Sequence, residues 1–222
     1  MGTTTTTRIR MSDGALLTLA QWLSPAFPVG GFAWSHGLEA AVVSGRVTEA
    51  GAVRDWIGAV IARGSGRADA VLLAAAMKDG ADVEALADLA RALAASRERW
   101  AETRAQGTAF AETVHALTGA DVPRTALPVA LGVAARGLGL PAPLVAGFYL
   151  QAFAANLVSA AVRFVPLGQT EGQRVLAELR PLILRVAAEA VETDPGEIAS
   201  SVFGADLAAM AHETQEVRIF RS

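Results

Sequence analysis

The sequence predicts an all-α fold, a single compact domain of about ten helices, on three observations. Apolar residues make up 52% of the 222 positions and are mostly alanine, leucine and valine, of which alanine and leucine are strong helix formers. No long stretch alternates apolar and polar residues in the manner of a half-buried strand. Prolines and glycines fall mainly between the apolar-periodic segments, where helices are closed and restarted. Aromatic residues are only 6%, so the core is filled by small groups and helices approach closely.

Taken in order, Ala15 to Leu23 reads as a short helix stopped by Ser24 and Pro25. The segment from Ser24 to Gly31 is a stiff loop: Pro25 and Pro28 fix the backbone, and Gly30 and Gly31 open it to unusual dihedrals. A helix from about Trp34 to Val43 follows, and Ser44-Gly45 ends it. The next runs from about Thr48, a plausible N-cap, to Arg63, with an apolar face of Val53, Trp56, Ile57, Val60 and Ile61. Gly64-Ser65-Gly66 is a break before a short helix from Asp69 to Met77, closed by Gly80. Asp82 begins a long helix to about Arg104, with Leu86, Leu89, Leu93 and Trp100 as its buried stripe. Its other face carries Glu84, Asp88, Arg91, Glu98 and Glu102. Thr108 to Leu117 continues the pattern, with Gly107 either kinking the helix or passing straight through it.

Gly119 to Pro123 is a linker, but its flanks share one composition, which favours one domain over two. Ala126 to Gly137 and Ala142 to Val165 are helical, with Pro141 and Pro143 where a helix start tolerates them. After Pro166-Leu167-Gly168, a helix covers Thr170 to Glu192, and Pro181 is expected to kink or split it. Asp194-Pro195 opens a short turn, and Ala205 to Glu213 is the last helix. The expected division is therefore a flexible N-terminal arm over residues 1–14, a helical domain over 15–213 and a C-terminal tail over 214–222.

Charge and composition remove several classes of function. Net charge is −3, from 19 Lys plus Arg against 22 Asp plus Glu, so no basic surface for nucleic acid is built. The absence of cysteine excludes disulfides, thiolate metal sites and cysteine nucleophiles. The N-terminus lacks the apolar run of a signal peptide. The most apolar stretch, Leu144 to Leu167, is interrupted by Gln151, Asn156 and Arg163, which lipid makes costly. A cytoplasmic protein, without a membrane partner, is the expectation. Charged residues are only 18%, against about 25% in ordinary domains, and part of the apolar surplus reads as interface.

Little in the sequence suggests chemistry. Lys78 is the sole lysine and follows no glycine-rich loop, so no phosphate-binding loop is present. The three histidines, His36, His115 and His212, form no recognisable catalytic arrangement with a nucleophile. His36 and Glu39 are three apart and share a face of the expected helix; that geometry can bind a metal, and equally a capping or packing bond. Asn156, Ser159 and Arg163 mark one side of an apolar helix, with Gln169 near its end. They read as a buried polar network tying helices together, or as a polar-lined seam or channel. In the tail, Arg218, Phe220 and Arg221 combine guanidinium groups with one aromatic ring, the residue types that interface hot spots favour.

Three segments carry a resemblance. Leu23-Ser-Pro-Ala-Phe-Pro-Val-Gly-Gly-Phe-Ala-Trp-Ser-His-Gly-Leu-Glu39 resembles the signature of the urease accessory protein F family. Val165-Pro-Leu-Gly-Gln169, preceded by Asn156 and Ser159, is similar to its second block, and His212-Glu-Thr-Gln215 with Arg218-Ile-Phe-Arg-Ser222 to its terminal motif. Ala33-Trp34 stands where the family often has serine and tyrosine, and Glu216 where it has an aromatic. The resemblance implies an all-helical homodimer with no catalysis and no cofactor of its own. Such proteins join a GTPase and a second accessory subunit, of the UreD or UreH kind, on the urease apoprotein, in support of lysine carbamylation and nickel insertion. It further implies a tail that orders against the second subunit, and tunnels proposed for nickel.

The expected partner surface is a fixed display of Phe32, Trp34, His36 and Glu39, held by the Pro25–Gly31 loop, together with Arg218, Phe220 and Arg221. Two other roles stay open on the sequence. One is activation or restraint of the partner GTPase, by an arginine entering its site or by a fidelity check. The other is direct carriage of nickel.

Overall fold

The computed structural model describes residues 12–221, and the expected N-terminal arm lies largely outside them. Among the described residues there are ten α-helices and no strand. In chain order they are α1 (Asp13–Trp22), α2 (Leu38–Val43), α3 (Ala50–Arg63), α4 (Ser65–Ala76), α5 (Val83–Ala92), α6 (Arg97–Thr118), α7 (Leu127–Ala135), α8 (Ala142–Phe164), α9 (Gln169–Glu192) and α10 (Phe203–His212). Single 3-10 turns stand at Gly31–Ala33, Arg136–Leu138 and Pro195–Glu197.

The core is built around α4. Nine of its twelve residues are buried, so it is apolar on all sides and takes neighbours all round: α3, α5, α7, α8 and α9. The α8–α9 pair forms one wall, in which Gly172 of α9 lies against Val158 and Val162 of α8 and Ala187 of α9 faces Gly147, while Val175, Leu179, Ile183 and Val186 of α9 join the same core. Trp22 meets Phe110 edge-on at 5.5 Å, and Phe27 leans on the same ring at 5.8 Å, which fastens α1 and its loop to α6. Among the described residues one helix, α8, is long and apolar enough to cross a membrane, and more than half of its most apolar window is buried inside the fold.

The structure changes three sequence expectations and decides between the two readings left open at Gly107. The helix expected from Asp82 to Arg104 is two helices. Ser96 caps α6, its Oγ accepting from the Arg99 N–H, and Glu213 accepts from the N–H groups of Arg97 and Glu98. A carboxylate over a hundred positions along the chain thus completes a helix start that Ser96 alone marks locally. The stripe survives the break, because Leu86, Leu89, Leu93 and Trp100 pack in one cluster with α7. Second, α6 runs straight through Gly107, whose missing side chain lets the backbone of 125–127 cross it; a Cβ there would lie 1.8 Å from the Thr125 carbonyl oxygen. Third, α9 is unbroken at Pro181, which occupies its exposed face. Fourth, residues 34–37 are not helical: His36 has φ +52° and Gly37 φ +73°, and α2 begins only at Leu38.

Candidate docking site

The loop after α1 is tied down locally. Ser24 accepts the Phe27 N–H through its carbonyl and the Ala26 N–H through its Oγ, and Gly30 turns the chain with φ +71°. The Asn156 amide then donates to the Gly31 carbonyl at 2.6 Å, fixing the loop to α8. Phe32 comes out on the surface, 64% exposed, whereas Trp34 and Glu39 are buried and His36 is half-buried with its ring turned inward. Of the four side chains expected on display, one reaches solvent in the single chain.

His36 and Glu39 also part company, because consecutive left-handed residues replace the helical turn that would have aligned them. Gly37 tolerates this and lies against α10, where a Cβ would stand 2.5 Å from the Ala209 amide nitrogen. His36 Nε2 meets Glu102 Oε1 at 3.0 Å, while Glu39 meets His212 on α10. The shared face that could have gripped a metal is not formed. Among the described residues no three histidine or acidic side chains form a group that could hold a metal ion.

Two charged clusters result. In the first, Arg99 bridges Asp69 and Glu102, Tyr149 donates to Asp69 Oδ2 at 2.7 Å, and Gln106 donates to Glu102 Oε1 at 2.9 Å. Burial pushes Asp69 upward, against the pull of the Arg99 guanidinium and the Tyr149 hydroxyl. Burial works the same way on Glu102, but His36 and Arg99 outweigh it and hold Glu102 below the usual carboxylate range. Tyr149 is pushed well above its ordinary value, by burial first and by the Asp69 charge second.

The second cluster holds the tail. His212 is fully buried, with Nδ1 2.8 Å from Glu98 Oε2 and Nε2 3.1 Å from Glu39 Oε2. Glu39 then accepts the backbone N–H groups of Ile219 at 2.9 Å and Phe220 at 3.0 Å, and Glu98 accepts Arg218 at 2.7 Å. Phe220 is buried between Phe164 and the Arg163 guanidinium, 5.5 Å above its ring, and the Arg221 N–H donates to the Ala33 carbonyl. The tail therefore docks on its own domain, leaving Val217, Ile219 and Arg221 outward.

Between the α1 loop, α6 and α8 lies a cavity of about 520 Å³. Trp22, Phe27, Phe110 and Phe153 wall it, and His36, Arg99, Glu102 and Gln106 lie along its polar side. Phe32 and Phe148 stand exposed among its lining residues, with Ser159 and Arg163. The expected polar network is thus divided. Asn156 ties helix to loop, Ser159 edges the cavity, Arg163 covers Phe220, and Gln169 opens α9 on the exposed surface. Asp69, Arg99, Gln106 and Tyr149 were not marked by the sequence reading, and Glu98 and Glu102 were expected on an outer face. A signal existed: Arg99, Glu102 and Gln106 are spaced three and four apart, which puts them on one face of α6.

Comparison with known proteins decides the family. The UreF family model matches residues 47–180, well over half of the chain. The chain belongs to the UreF family. Urease accessory protein UreF of Cereibacter sphaeroides strain KD131 is 63% identical over 210 residues, covering 95% of this chain and all of that one. The UreF proteins of Jannaschia sp. strain CCS1 and Paracoccus denitrificans strain Pd 1222 are 56% and 55% identical, over 96% and 95% of this chain and 100% and 97% of theirs. Membership makes the chain a urease maturation chaperone and not an enzyme.

Proposed function

We propose that the chain is a helical adaptor that joins the accessory GTPase and a second accessory subunit on the urease apoprotein for nickel insertion. It works in the cytoplasm as a homodimer, with residues 15–213 as scaffold and 214–222 as a separable contact element. The observation that carries this reading is one continuous face. It contains exposed Phe32 and Phe148, the open cavity beside them, and the docked tail with Arg218 and Arg221. Aromatic and arginine side chains around an apolar recess are what a protein partner's hot spots engage.

Trp34, His36, Glu39 and Phe220 act in this account from beneath. They are buried, His36 only partly, and they hold in place the backbone that presents Phe32 and the tail. Pre-ordering of that kind reduces the freedom lost on association. The test is co-purification of the tagged full chain with the GTPase and the second accessory subunit. The double variant Arg218→Ala/Arg221→Ala and the single variant Phe32→Asp are expected to weaken capture while helical content stays unchanged by circular dichroism. Undiminished capture by both variants overturns the proposal.

A further inference from the structure

We propose that Glu39, His212 and Glu98 form a proton-operated latch, which holds the C-terminal tail while the trio keeps one extra proton and releases it when alkali takes that proton away. As a regulation of the tail it rests on the adaptor reading for what a freed tail meets; the latch itself is a property of the chain alone.

Hydrogen bonding comes first. His212 is fully buried, and both ring nitrogens face carboxylate oxygens, Nδ1 that of Glu98 at 2.8 Å and Nε2 that of Glu39 at 3.1 Å. A carboxylate only accepts, and a neutral imidazole donates from one nitrogen and accepts at the other. A neutral ring between two charged carboxylates therefore sets lone pair against lone pair at one of the two contacts. Each contact holds a hydrogen only when the trio carries one proton more than that, shared among ring and carboxyls as a unit. The ring has no exposed surface, so bulk solvent does not reach it to mend a mismatch.

Charge points the same way. From α2 comes Glu39, whose one ion-pair partner among the described residues is His212. From α6 comes Glu98, which also meets Arg218 of the tail. Glu213, beside the ring along the chain, is turned to Arg97, and Asp206 of α10 to Ser200. His36 and Arg99 face the other way, to Glu102 and Asp69. Glu39, Glu98 and Glu213 thus stand with only Arg97 and Arg218, and a positive charge from the extra proton balances them. The same two carboxylates hold the tail. Glu39 accepts the Ile219 and Phe220 N–H groups, its Oε2 serving Phe220 and His212 together, and Glu98 accepts Arg218. Whichever ring contact loses its hydrogen, the carboxylate that must give way is one the tail depends on.

The test uses the full chain. It has no cysteine, and Val217 is 80% exposed, so Val217→Cys gives one site on the tail for a pH-insensitive fluorophore. The label's anisotropy is followed from about pH 6 to about pH 10, around and above the range in which imidazoles titrate. A proton held only by the closed form favours closure at low pH, and its loss makes the closed-to-open ratio fall by up to about tenfold per pH unit. The anisotropy is expected to fall accordingly, with the ¹⁵N shifts of the His212 ring changing over the same range and helical content by circular dichroism staying constant. Glu98→Gln carries the opposite expectation: its amide N–H donates to Nδ1 of a neutral ring whose Nε2–H is given to Glu39, both contacts hold a hydrogen without the extra proton, and the tail stays docked in alkali. An anisotropy that does not change with pH, a fall without any change at the His212 ring, a fall that coincides with loss of helix, or a folded Glu98→Gln variant that responds like the parent overturns the inference. Should that variant misfold, the titration of the parent decides alone. If the parent's tail ignores pH while the chain still captures the GTPase and second subunit, this inference fails and the adaptor reading stands. If the tail opens as expected but the chain captures neither, the adaptor reading fails and the latch stands.

Discussion

Replacing Glu39 with alanine should release the last residues of the chain while leaving the helical scaffold folded. Glu39 is a buried carboxylate on the first turn of α2, and it accepts two backbone N–H groups, from Ile219 at 2.9 Å and Phe220 at 3.0 Å. A hydrogen bond to a charged group contributes about 1.5–3 kcal/mol, so the pair contributes about 3–6 kcal/mol to holding the tail. What remains is the burial of one phenylalanine, about 1.5–3 kcal/mol, the Arg163 guanidinium over its ring, about 0.5–1 kcal/mol, the Arg221 N–H to the Ala33 carbonyl, about 0.5–1.5 kcal/mol, and the exposed contact of Arg218 with Glu98, about 0–1 kcal/mol. Against these stands the cost of ordering each tail residue, about 1–2 kcal/mol apiece. Without Glu39 the balance turns to the open form. Each 1.4 kcal/mol is tenfold, so the Ile219 and Phe220 amides should exchange with solvent at least about a hundredfold faster. Native-state hydrogen exchange reads this directly, and trypsin should cut after Arg218 sooner. Unchanged protection of those two amides, in a variant whose α3, α4 and α8 amides are also unchanged, would refute the reasoning.

Other perturbations separate the remaining contacts. Arg163→Ala removes a guanidinium 5.5 Å above the Phe220 ring at an exposed site, about 0.5–1 kcal/mol, so tail exchange should quicken only about two- to fivefold. Gly107→Ala drives a Cβ to within 1.8 Å of the Thr125 carbonyl and must push the 125–127 crossing off α6. Overpacking of this kind costs about 1–3 kcal/mol or more, and the thermal midpoint should fall by several degrees in a circular-dichroism melt. Acid should loosen the start of α6. Burial would raise Glu213, but hydrogen bonds from the Arg97 side chain and from the N–H groups of Arg97 and Glu98 outweigh it and hold the carboxyl below its usual range. A carboxylate lowered in the fold stabilises it above the unfolded titration, and that stability is lost as pH falls through the folded value. The protection of the Arg97 and Glu98 amides, taken relative to intrinsic exchange at each pH, should therefore fall as acid titrates Glu213, and Glu213→Gln should flatten the response. Protection that does not change with pH in the unaltered chain would contradict it.

Helix identity was legible wherever an apolar stripe and a Pro or Gly stop coincided, as in α3, α7 and α8. It failed where tertiary partners set the boundary. Ser96 is a local N-cap inside an otherwise continuous apolar pattern, and Glu213, brought there by α10, adds acceptors for the Arg97 and Glu98 N–H groups that the neighbouring sequence does not supply. Trp34 to Gly37 has helical spacing, but His36 is held at φ +52° by Glu102 on α6 and Gly37 is pressed against α10, and neither constraint is written nearby. The same reasoning explains the site. The Pro25–Gly31 loop and the arginine-aromatic tail stood out by composition. Glu39 as the tail's acceptor did not, because its partners lie some 180 positions away.

Residues 36 to 39 join the polar side of the cavity to the tail, as residues 98 to 102 of α6 also do. One end of this four-residue lever is pinned to Glu102 beside the cavity, and the other grips the backbone at Ile219 and Phe220. Glu102 beside the recess and Glu98 at the tail stand one turn apart on α6, so the recess and the terminus share two short struts.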